Sequence, residues 1–400
     1  AFTVDEQRDN DFILAMEEVL QARKTSLPVR LTCNNSSALI KEFLIKHLNL
    51  TQNDVYEVDG IIALSSLSHL SELSNTDDLK YSKWKPCIPK EFDENHSIWD
   101  EIKKQDLMLH TPYDSFEPVV KMINEAAIDP KVLAIKITLY RTSGNSPIVK
   151  ALELAARNGK QVTVFIELKA RFDEKQNIEW ATRLQNAGVI VIYGIVNLKL
   201  HAKMMIIVRK EDNEILRYVH LSTGNYNENT AKLYSDISIF TAEPEIANDA
   251  TLFFNMISGY SALQTMQKIK IAPINLKSNL ISLIEREIQN SSPEKPGLII
   301  AKMNSLAHPE VIQALYKASC ANVKIKLNVR GICMLVPDVK NLSENIQVTS
   351  IIDRYLEHSR ICYFQNGGDE EIYLSSADWM PRNLDRRVEI MFPILNKSIF

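Results

Sequence analysis

One structural pattern occurs twice in this chain, and this duplication constrains the fold more than any other sequence feature. The first copy begins at His201 with Lys203 two residues later, and the second begins at His358 with Arg360 two residues later. In both copies an apolar run, a charged or glycine-rich turn, a second apolar run and small hydroxyl residues follow. The pattern predicts a β-hairpin whose first strand has the histidine and the cation on one face, because residues two apart on a strand share a face.

The duplication extends beyond the two hairpins. Residues 222–236 align with residues 375–389 without a gap, so that Asp236 matches Glu389. Upstream, the strand-like residues 162–170 match residues 323–331, and a helix-like stretch that begins with proline precedes each. A period of about 160 residues is too long for a solenoid and predicts two similar α/β domains that face each other. A pseudo-twofold arrangement would bring His201 and His358 into one cleft, on opposite sides of a single bound group.

The expected fold class is therefore α/β, with two similar domains that follow a smaller α/β segment. The segment at residues 1–105 is expected to be part of an N-terminal or middle domain, with a helix at 12–20, a strand at 28–32, a helix at 38–48 and a strand at 55–58. The two repeat domains are expected at residues 106–272 and 273–400, the second of them truncated. The chain starts without methionine and stops soon after a strand-like run, which favours a fragment of a longer protein.

Composition sets further bounds. A net charge of −4 gives no global basicity for nucleic-acid binding, whereas arginines cluster near the second repeat motif and favour a defined anionic substrate. The five cysteines show no C-x-x-C spacing and mostly lie in apolar runs, which predicts reduced, buried thiols in a cytosolic protein. The sequence shows neither a signal peptide nor an apolar stretch of membrane-spanning length.

A histidine and a cation on one strand face suit phosphate chemistry. An imidazole can attack or protonate a phosphoryl group while the cation binds its oxygens. A lone histidine in a strand is usually a hydrogen-bonded structural residue, but the matched second copy reverses that judgement for His201 and His358. Asp236 and Glu389 end the paired segments and are candidates to orient the histidines by accepting the distal ring proton. A solvated carboxylate is the equally open alternative for both.

Three arginines are candidate phosphate ligands. Arg141 lies in a loop rich in glycine and serine after a strand, where backbone N–H groups can also face phosphate. Arg171 and Arg330 follow the paired strands and are candidate guanidinium clamps. A plain turn at Arg141 and solvated side chains at Arg171 and Arg330 stay open as alternatives. No Cys, His and Asp spacing typical of zinc is present.

These motifs resemble the phospholipase D superfamily, whose two H-x-K motifs share one active site, and more closely the first family of polyphosphate kinases. The resemblance is dense over residues 105–395 and looser over residues 28–67. The segments that carry it are residues 110–116, 135–144, 164–174, 198–203, 222–226, 302–306, 329–333, 342–346, 356–360 and 375–389.

The resemblance implies a function. Enzymes of that family transfer the terminal phosphate of ATP to inorganic polyphosphate, reversibly and with magnesium, through a phosphohistidine. It implies that His201 is the phosphorylated nucleophile and that His358 acts across the phosphorus as general acid/base or charge stabiliser. Lys203 and Arg360 are the catalytic cations that accompany them.

The resemblance also implies a set of ligand contacts. Tyr234, Arg330 and His358 match ATP-binding positions, and Arg141 and Arg171 match positions associated with magnesium. Because arginine has no lone pair for a metal, we interpret these two as ligands of the phosphates that magnesium bridges.

Further expectations follow from the same family. The chain lacks counterparts of the family's N-terminal helical domain and C-terminal helical tail. ATP, ADP and inorganic polyphosphate are the expected partners, nucleic acid is not, and a homo-oligomer in the cytoplasm is expected, with membrane association left open. Two rival functions remain: a phosphodiesterase or phosphatidyltransferase of the wider superfamily, and a non-catalytic scaffold that binds polyphosphate or nucleotide.

Overall fold

The computed structural model describes residues 26–34, 37–73, 76–92, 96–140, 146–167, 174–194, 198–259 and 265–399. The helix predicted at residues 12–20 and the candidates Arg141 and Arg171 lie outside the described residues. The chain divides into two compact units, residues 1–84 and residues 85–400, and each is described by itself.

The first unit contains a small α/β element. Strand β1 (Leu31–Cys33) is followed by helix α1 (Ala38–His47) and by strand β2 (Val55–Glu57), which pairs with β1 in parallel. The side chain of Ser37 caps α1 by accepting a hydrogen bond from the backbone N–H of Ile40. The predicted strand, helix and strand are thus confirmed to within a few residues.

The second unit contains two similar successions of strands and helices. The elements of its first half are α2 (Ile98–Lys104), β3 (Leu107–Thr111), α3 (Glu117–Ile128), β4 (Val132–Leu139), α4 (Pro147–Arg157), β5 (Gln161–Ile166), α5 (Glu174–Asn186), β6 (Ile190–Tyr193), β7 (Lys199–Leu200), β8 (Met204–Glu211), β9 (Glu214–Ser222), β10 (Tyr234–Thr241) and α6 (Pro244–Ile257). The elements of its second half are β11 (Lys270–Ala272), α7 (Leu276–Asn290), β12 (Leu298–Met303), α8 (Pro309–Cys320), β13 (Lys324–Val329), β14 (Ile346–Thr349), β15 (Leu356–Glu357), β16 (Arg360–Phe364), β17 (Glu371–Ser375), α9 (Pro381–Arg386) and β18 (Arg387–Pro393).

These strands form two mixed sheets of the same topology. In the part of the chain that the structure describes, each sheet has eight strands. The first runs β15-β10-β9-β8-β4-β5-β6 with β3 also on β10, and the second runs β11-β18-β17-β16-β12-β13-β14 with β7 also on β18. Each strand of the first half therefore has its counterpart eight strands later. The predicted α/β duplication is confirmed, while the boundaries at residues 105 and 272 remain predictions.

One short strand from each half joins the sheet of the other half. Strand β7 pairs in parallel with β18, with Lys199 opposite Arg387, and β15 pairs in parallel with β10, with Leu356 opposite Tyr234. Both exchanged strands immediately precede the repeated histidines. Because the exchange is reciprocal, each histidine is placed beside a strand of the other half.

Clusters of buried apolar side chains stabilise this unit, and two of them involve the second sheet. One cluster lies between the second sheet and its helices, where Leu280 and Leu315 are fully buried. The other joins both sheets: Met204 and Phe254 from the first half pack in one cluster with Phe392 from the second. A shared core of this kind fixes the position of one sheet relative to the other and so fixes the seam between them.

The cysteine prediction was partly wrong. All five cysteines are free thiols, but only Cys362 is buried, whereas Cys87, Cys320 and Cys333 are exposed. The apolar neighbours of Cys333 misled the sequence argument, because Ile332 and Met334 are themselves exposed on a loop. Among the described residues, no helix is both long and apolar enough to cross a membrane.

Candidate active site

The repeated histidines lie at the seam between the two sheets. The backbone N–H of His201 donates to the carbonyl of Val388 at 2.9 Å, and that of His358 donates to the carbonyl of Ser235 at 3.2 Å. Val388 and Ser235 occupy equivalent positions on β18 and β10. Each histidine is thus fixed at its backbone by the opposite half of the unit.

Each histidine side chain also binds a carboxylate of the opposite half. Nδ1 of His201 lies 2.8 Å from Oε2 of Glu389, and Nδ1 of His358 lies 2.9 Å from both oxygens of Asp236. An ionised carboxylate can only accept, so Nδ1 carries the proton and Nε2 keeps its lone pair. The predicted carboxylate contacts are present, and each of them crosses between the halves.

Further hydrogen bonds hold the two carboxylates. Ser376 donates to Glu389 at 2.6 Å, and Thr223, its repeat counterpart, donates to Asp236 at 2.6 Å. Asn383 adds a third bond, from Nδ2 to Oε1 of Glu389 at 2.7 Å. The sequence reasoning missed Asn383, because it lies in a short helix among charged residues and nothing in its local pattern distinguishes it.

The two cations are buried beside their histidines. Arg360 donates through Nε and Nη2 to Asp378, at 3.2 and 3.3 Å, and its Nη1 lies 3.2 Å from Nε2 of His358. Lys203 donates to the backbone carbonyl of His201, and its Nζ lies 5.6 Å from the centre of the Tyr140 ring. Arg360 thus contacts the ring of His358, whereas Lys203 contacts the backbone of His201. Both histidines precede strands β8 and β16 instead of beginning them, so the predicted placement of histidine and cation on one strand face was wrong.

Burial controls the protonation of the site. Loss of solvent lowers the pKa of His201 and of His358, and the attraction of the paired carboxylates does not reverse this effect. The cation of its own motif, Lys203 for His201 and Arg360 for His358, also lowers the pKa of each histidine, and the cation of the other half adds a smaller effect in the same direction. Both imidazoles are accordingly neutral near pH 7.

The carboxylates behave in the opposite way. Burial raises the pKa of Glu389, but His201, Lys203 and Ser376 together lower it below its ordinary value. Burial likewise raises the pKa of Asp236, but the stronger combined effect of His358 and its other partners lowers this pKa below its ordinary value. Both groups are ionised near pH 7, which preserves the Nδ1–H orientation of each histidine.

The residues expected to bind ATP surround His358. The Tyr234 ring lies 5.2 Å from the His358 ring, centre to centre. Arg330 donates through Nε and Nη2 to Oδ1 of Asn304, at 3.0 and 2.9 Å, and Nδ2 of Asn304 lies 3.5 Å from the carbonyl oxygen of His358. The structure thus places Tyr234 against the His358 ring and links Arg330 to the His358 backbone through Asn304.

The described residues do not fit a metal held directly by protein ligands. They contain no group of three His, Cys, Asp or Glu side chains that could hold a metal ion. The carboxylates of Asp236, Glu389 and Asp378 are already bound to histidine or arginine.

Comparison with known proteins defines the family. Three polyphosphate kinase domain models match the chain: the middle domain at residues 1–70, C-terminal domain 1 at residues 97–263 and C-terminal domain 2 at residues 269–400. The chain belongs to the polyphosphate kinase family. Polyphosphate kinase of Rhodopirellula baltica is 50% identical over 97% of this chain and 46% of its own length. Polyphosphate kinase of Pseudomonas aeruginosa is 46% identical over 99% of this chain and 58% of its own length. The chain thus spans about half the length of these relatives.

Solved structures agree with this assignment. The crystal structure of polyphosphate kinase from Porphyromonas gingivalis is similar, with a TM-score of 0.83 and 37% identity over 94% of this chain and 57% of that chain. Phosphatidylserine synthase of Haemophilus influenzae has a TM-score of 0.50 at 12% identity over 74% of this chain and 83% of that chain. The second similarity shows the fold alone, and it agrees with the division of this unit into two similar α/β halves.

Proposed function

We propose that this protein is an ATP:polyphosphate phosphotransferase that works through a phosphohistidine at His201. The observation that carries the proposal is the pair of crossed histidine–carboxylate contacts, which leave an Nε2 lone pair on each neutral imidazole in a seam with two buried cations. The names of the relatives support ATP and polyphosphate as substrates.

The first chemical step forms the phosphohistidine. Nε2 of His201 attacks the terminal phosphorus of ATP, the new N–P bond forms, and the bond from this phosphorus to the bridging oxygen breaks, so that ADP leaves with the bond electrons. Glu389 holds the Nδ1 proton throughout and stabilises the positive charge that develops on the ring. Arg360 balances the charge on the transferred oxygens, and Lys203, whose pKa burial lowers to about 7, does so in its protonated form.

The second step transfers the group to the polymer. A terminal oxygen of polyphosphate attacks the phosphorus from the side opposite His201, the N–P bond breaks, and the imidazole regains its lone pair. The same steps in reverse make ATP from ADP, because the phosphoramidate keeps a high transfer potential. His358 faces this side of the reaction and stabilises or protonates the entering or leaving oxygen.

Some of the site residues bind ATP, and others contact the magnesium-bound phosphates. Tyr234 and Arg330 bind ATP beside His358, and magnesium enters only as the ion carried by the phosphates of the nucleotide. Arg141 and Arg171 complete the magnesium–phosphate contacts in this proposal. A homo-oligomer in the cytoplasm stays a prediction from the family.

The proposal is tested with γ-labelled ATP. The protein is incubated with labelled ATP and magnesium, and the acid-labile, base-stable label is mapped to a peptide. We expect label on His201 in the unchanged protein, none in His201→Ala, and slow turnover in His358→Ala. Labelling of His201→Ala at the normal rate would refute the nucleophile assignment.

The same experiment separates the rival functions. A phosphodiesterase would hydrolyse lipid or nucleic-acid diesters without ATP, and a scaffold would bind phosphate without any covalent label. His47, an exposed histidine in the first unit, gives a matched control, because His47→Ala is expected to label as the unchanged protein does.

A further inference from the structure

We propose that Asn304 is a positioning residue that fixes the orientation of the Arg330 guanidinium for binding of the ATP phosphates. The inference rests on the proposed function, because it assigns a role beside the ATP-binding residues. Asn304 lies just beyond the end of β12, and its side chain is buried within the cluster around His358.

The side chain of Asn304 binds Arg330 in a fixed orientation. Nε and Nη2 of Arg330 both donate to Oδ1 of Asn304, at 3.0 and 2.9 Å. Two donors on one acceptor fix the plane of the guanidinium, and only part of its N–H groups are used there. Among the described residues the guanidinium makes no other hydrogen bond, so its remaining donors can bind phosphate oxygens.

The backbone of Asn304 holds the same segment. The N–H of Gly331 donates to the Asn304 carbonyl at 2.8 Å. A Cβ at position 331 would lie only 3.0 Å from that oxygen, so glycine permits this close approach. Asn304 therefore holds Arg330 through its side chain and the following residue through its main chain.

Asn304 also contacts the catalytic cluster, and these contacts close a ring. Its N–H donates to Oδ1 of Asp378 at 2.8 Å, Asp378 binds Arg360, and Arg360 Nη1 lies 3.2 Å from Nε2 of His358. Nδ2 of Asn304 completes the ring at the His358 carbonyl, 3.5 Å away. Arg330, which binds the Asn304 side chain, is thereby connected to His358 through that single side chain.

The chemistry of the amide explains why asparagine suits this position. One end accepts from a guanidinium and the other can donate to a carbonyl, whereas an aspartate offers only acceptors and an alanine offers neither. Without Asn304 the arginine keeps its charge but loses its orientation. A charged donor that must be ordered on binding loses part of its contribution to affinity.

The test is a double-mutant cycle that uses a non-hydrolysable ATP analogue as the probe. We expect Asn304→Ala to weaken analogue binding about tenfold and Arg330→Ala to weaken it by at least as much. If Asn304 acts through Arg330, the double variant binds within about twofold of Arg330→Ala alone. Calorimetry gives the dissociation constants, and the label on His201 is measured in parallel.

Control variants distinguish failure of the Asn304 proposal from failure of the proposed kinase function. Asn345→Ala removes a partly buried hydrogen bond in the same half, from the side-chain amide of Asn345 to the carbonyl of Ser319. This variant is expected to bind the analogue normally. Asn304→Ser replaces Asn304→Ala if the latter lowers the thermal unfolding midpoint, because serine is too short to reach Arg330. Normal binding by the Asn304 variants, or additive losses in the cycle, would overturn the inference while leaving the function intact. An unchanged protein that neither binds the analogue nor accepts label would overturn both.

Discussion

Substitution of Gly224 by alanine is expected to slow catalysis strongly, because it displaces Asp236. A Cβ at position 224 would lie 2.4 Å from Oδ2 of Asp236 and 2.5 Å from its Cγ. The Asp236 side chain cannot move away easily, because Thr223 donates a hydrogen bond to its Oδ1 at 2.6 Å and its backbone lies in strand β10. The new methyl group must therefore displace the carboxylate that orients His358.

The magnitude follows from the displacement. Ordinary carbon contacts begin at about 3.5 Å, so the Asp236 carboxylate must move by about 1 Å. A misplacement of this size in an active site costs about 100-fold in rate, or about 2.7 kcal/mol of transition-state stabilisation. Overpacking is expected to cost about 1–3 kcal/mol of unfolding free energy as well.

The assay measures polyphosphate synthesis from ATP together with urea unfolding. Ala377, the repeat counterpart of Gly224, is buried, and Ala377→Gly provides a matched control that is expected to keep its rate within about threefold and to lose about 0.5–1 kcal/mol of stability. A Gly224→Ala variant with the normal kcat, or one whose structure keeps the Asp236–His358 contact, would refute the reasoning.

Two further predictions test the protonation of buried groups. The Glu389→Gln side chain presents an N–H group to one of the donors His201, Ser376 and Asn383. We therefore expect labelling of His201 by ATP to slow about 100-fold or more. Substitution of the buried Glu287 by glutamine is the control, and equal slowing by both substitutions would contradict a local effect. His220 has its pKa lowered by burial to about 3, so the unfolded chain binds more protons than the folded chain between that value and the ordinary histidine pKa. Unfolding free energy should therefore fall by about 2 kcal/mol from pH 7 to pH 5 on account of His220 alone. Urea unfolding at both pH values should show this loss diminished in His220→Gln, and an undiminished loss would exclude His220 as its source.

The individual helices and strands were predictable because they depend on the spacing of apolar residues and on the turn residues that separate the apolar runs. The apolar runs after Lys203 and Arg360 form hairpins, and the stripe from Leu276 to Ile288 forms helix α7. Family membership also follows from sequence, because the motifs are long. Burial of the cysteines was not predictable in the same way, since an apolar run such as that around Cys333 can lie on an exposed loop.

The sequence by itself determined that the two halves are equivalent and that His201, His358, Asp236 and Glu389 occupy repeated positions. Only the tertiary structure decided which histidine meets which carboxylate. The alignment is the same whether each pair forms within one half or between halves. The reciprocal exchange of β7 and β15 selects the second arrangement, because backbone pairing with β18 and β10 carries each histidine to the opposite sheet. The role of Asn304 has the same origin, since Arg330, Asp378 and His358 are distant in sequence and meet only when the second sheet is formed.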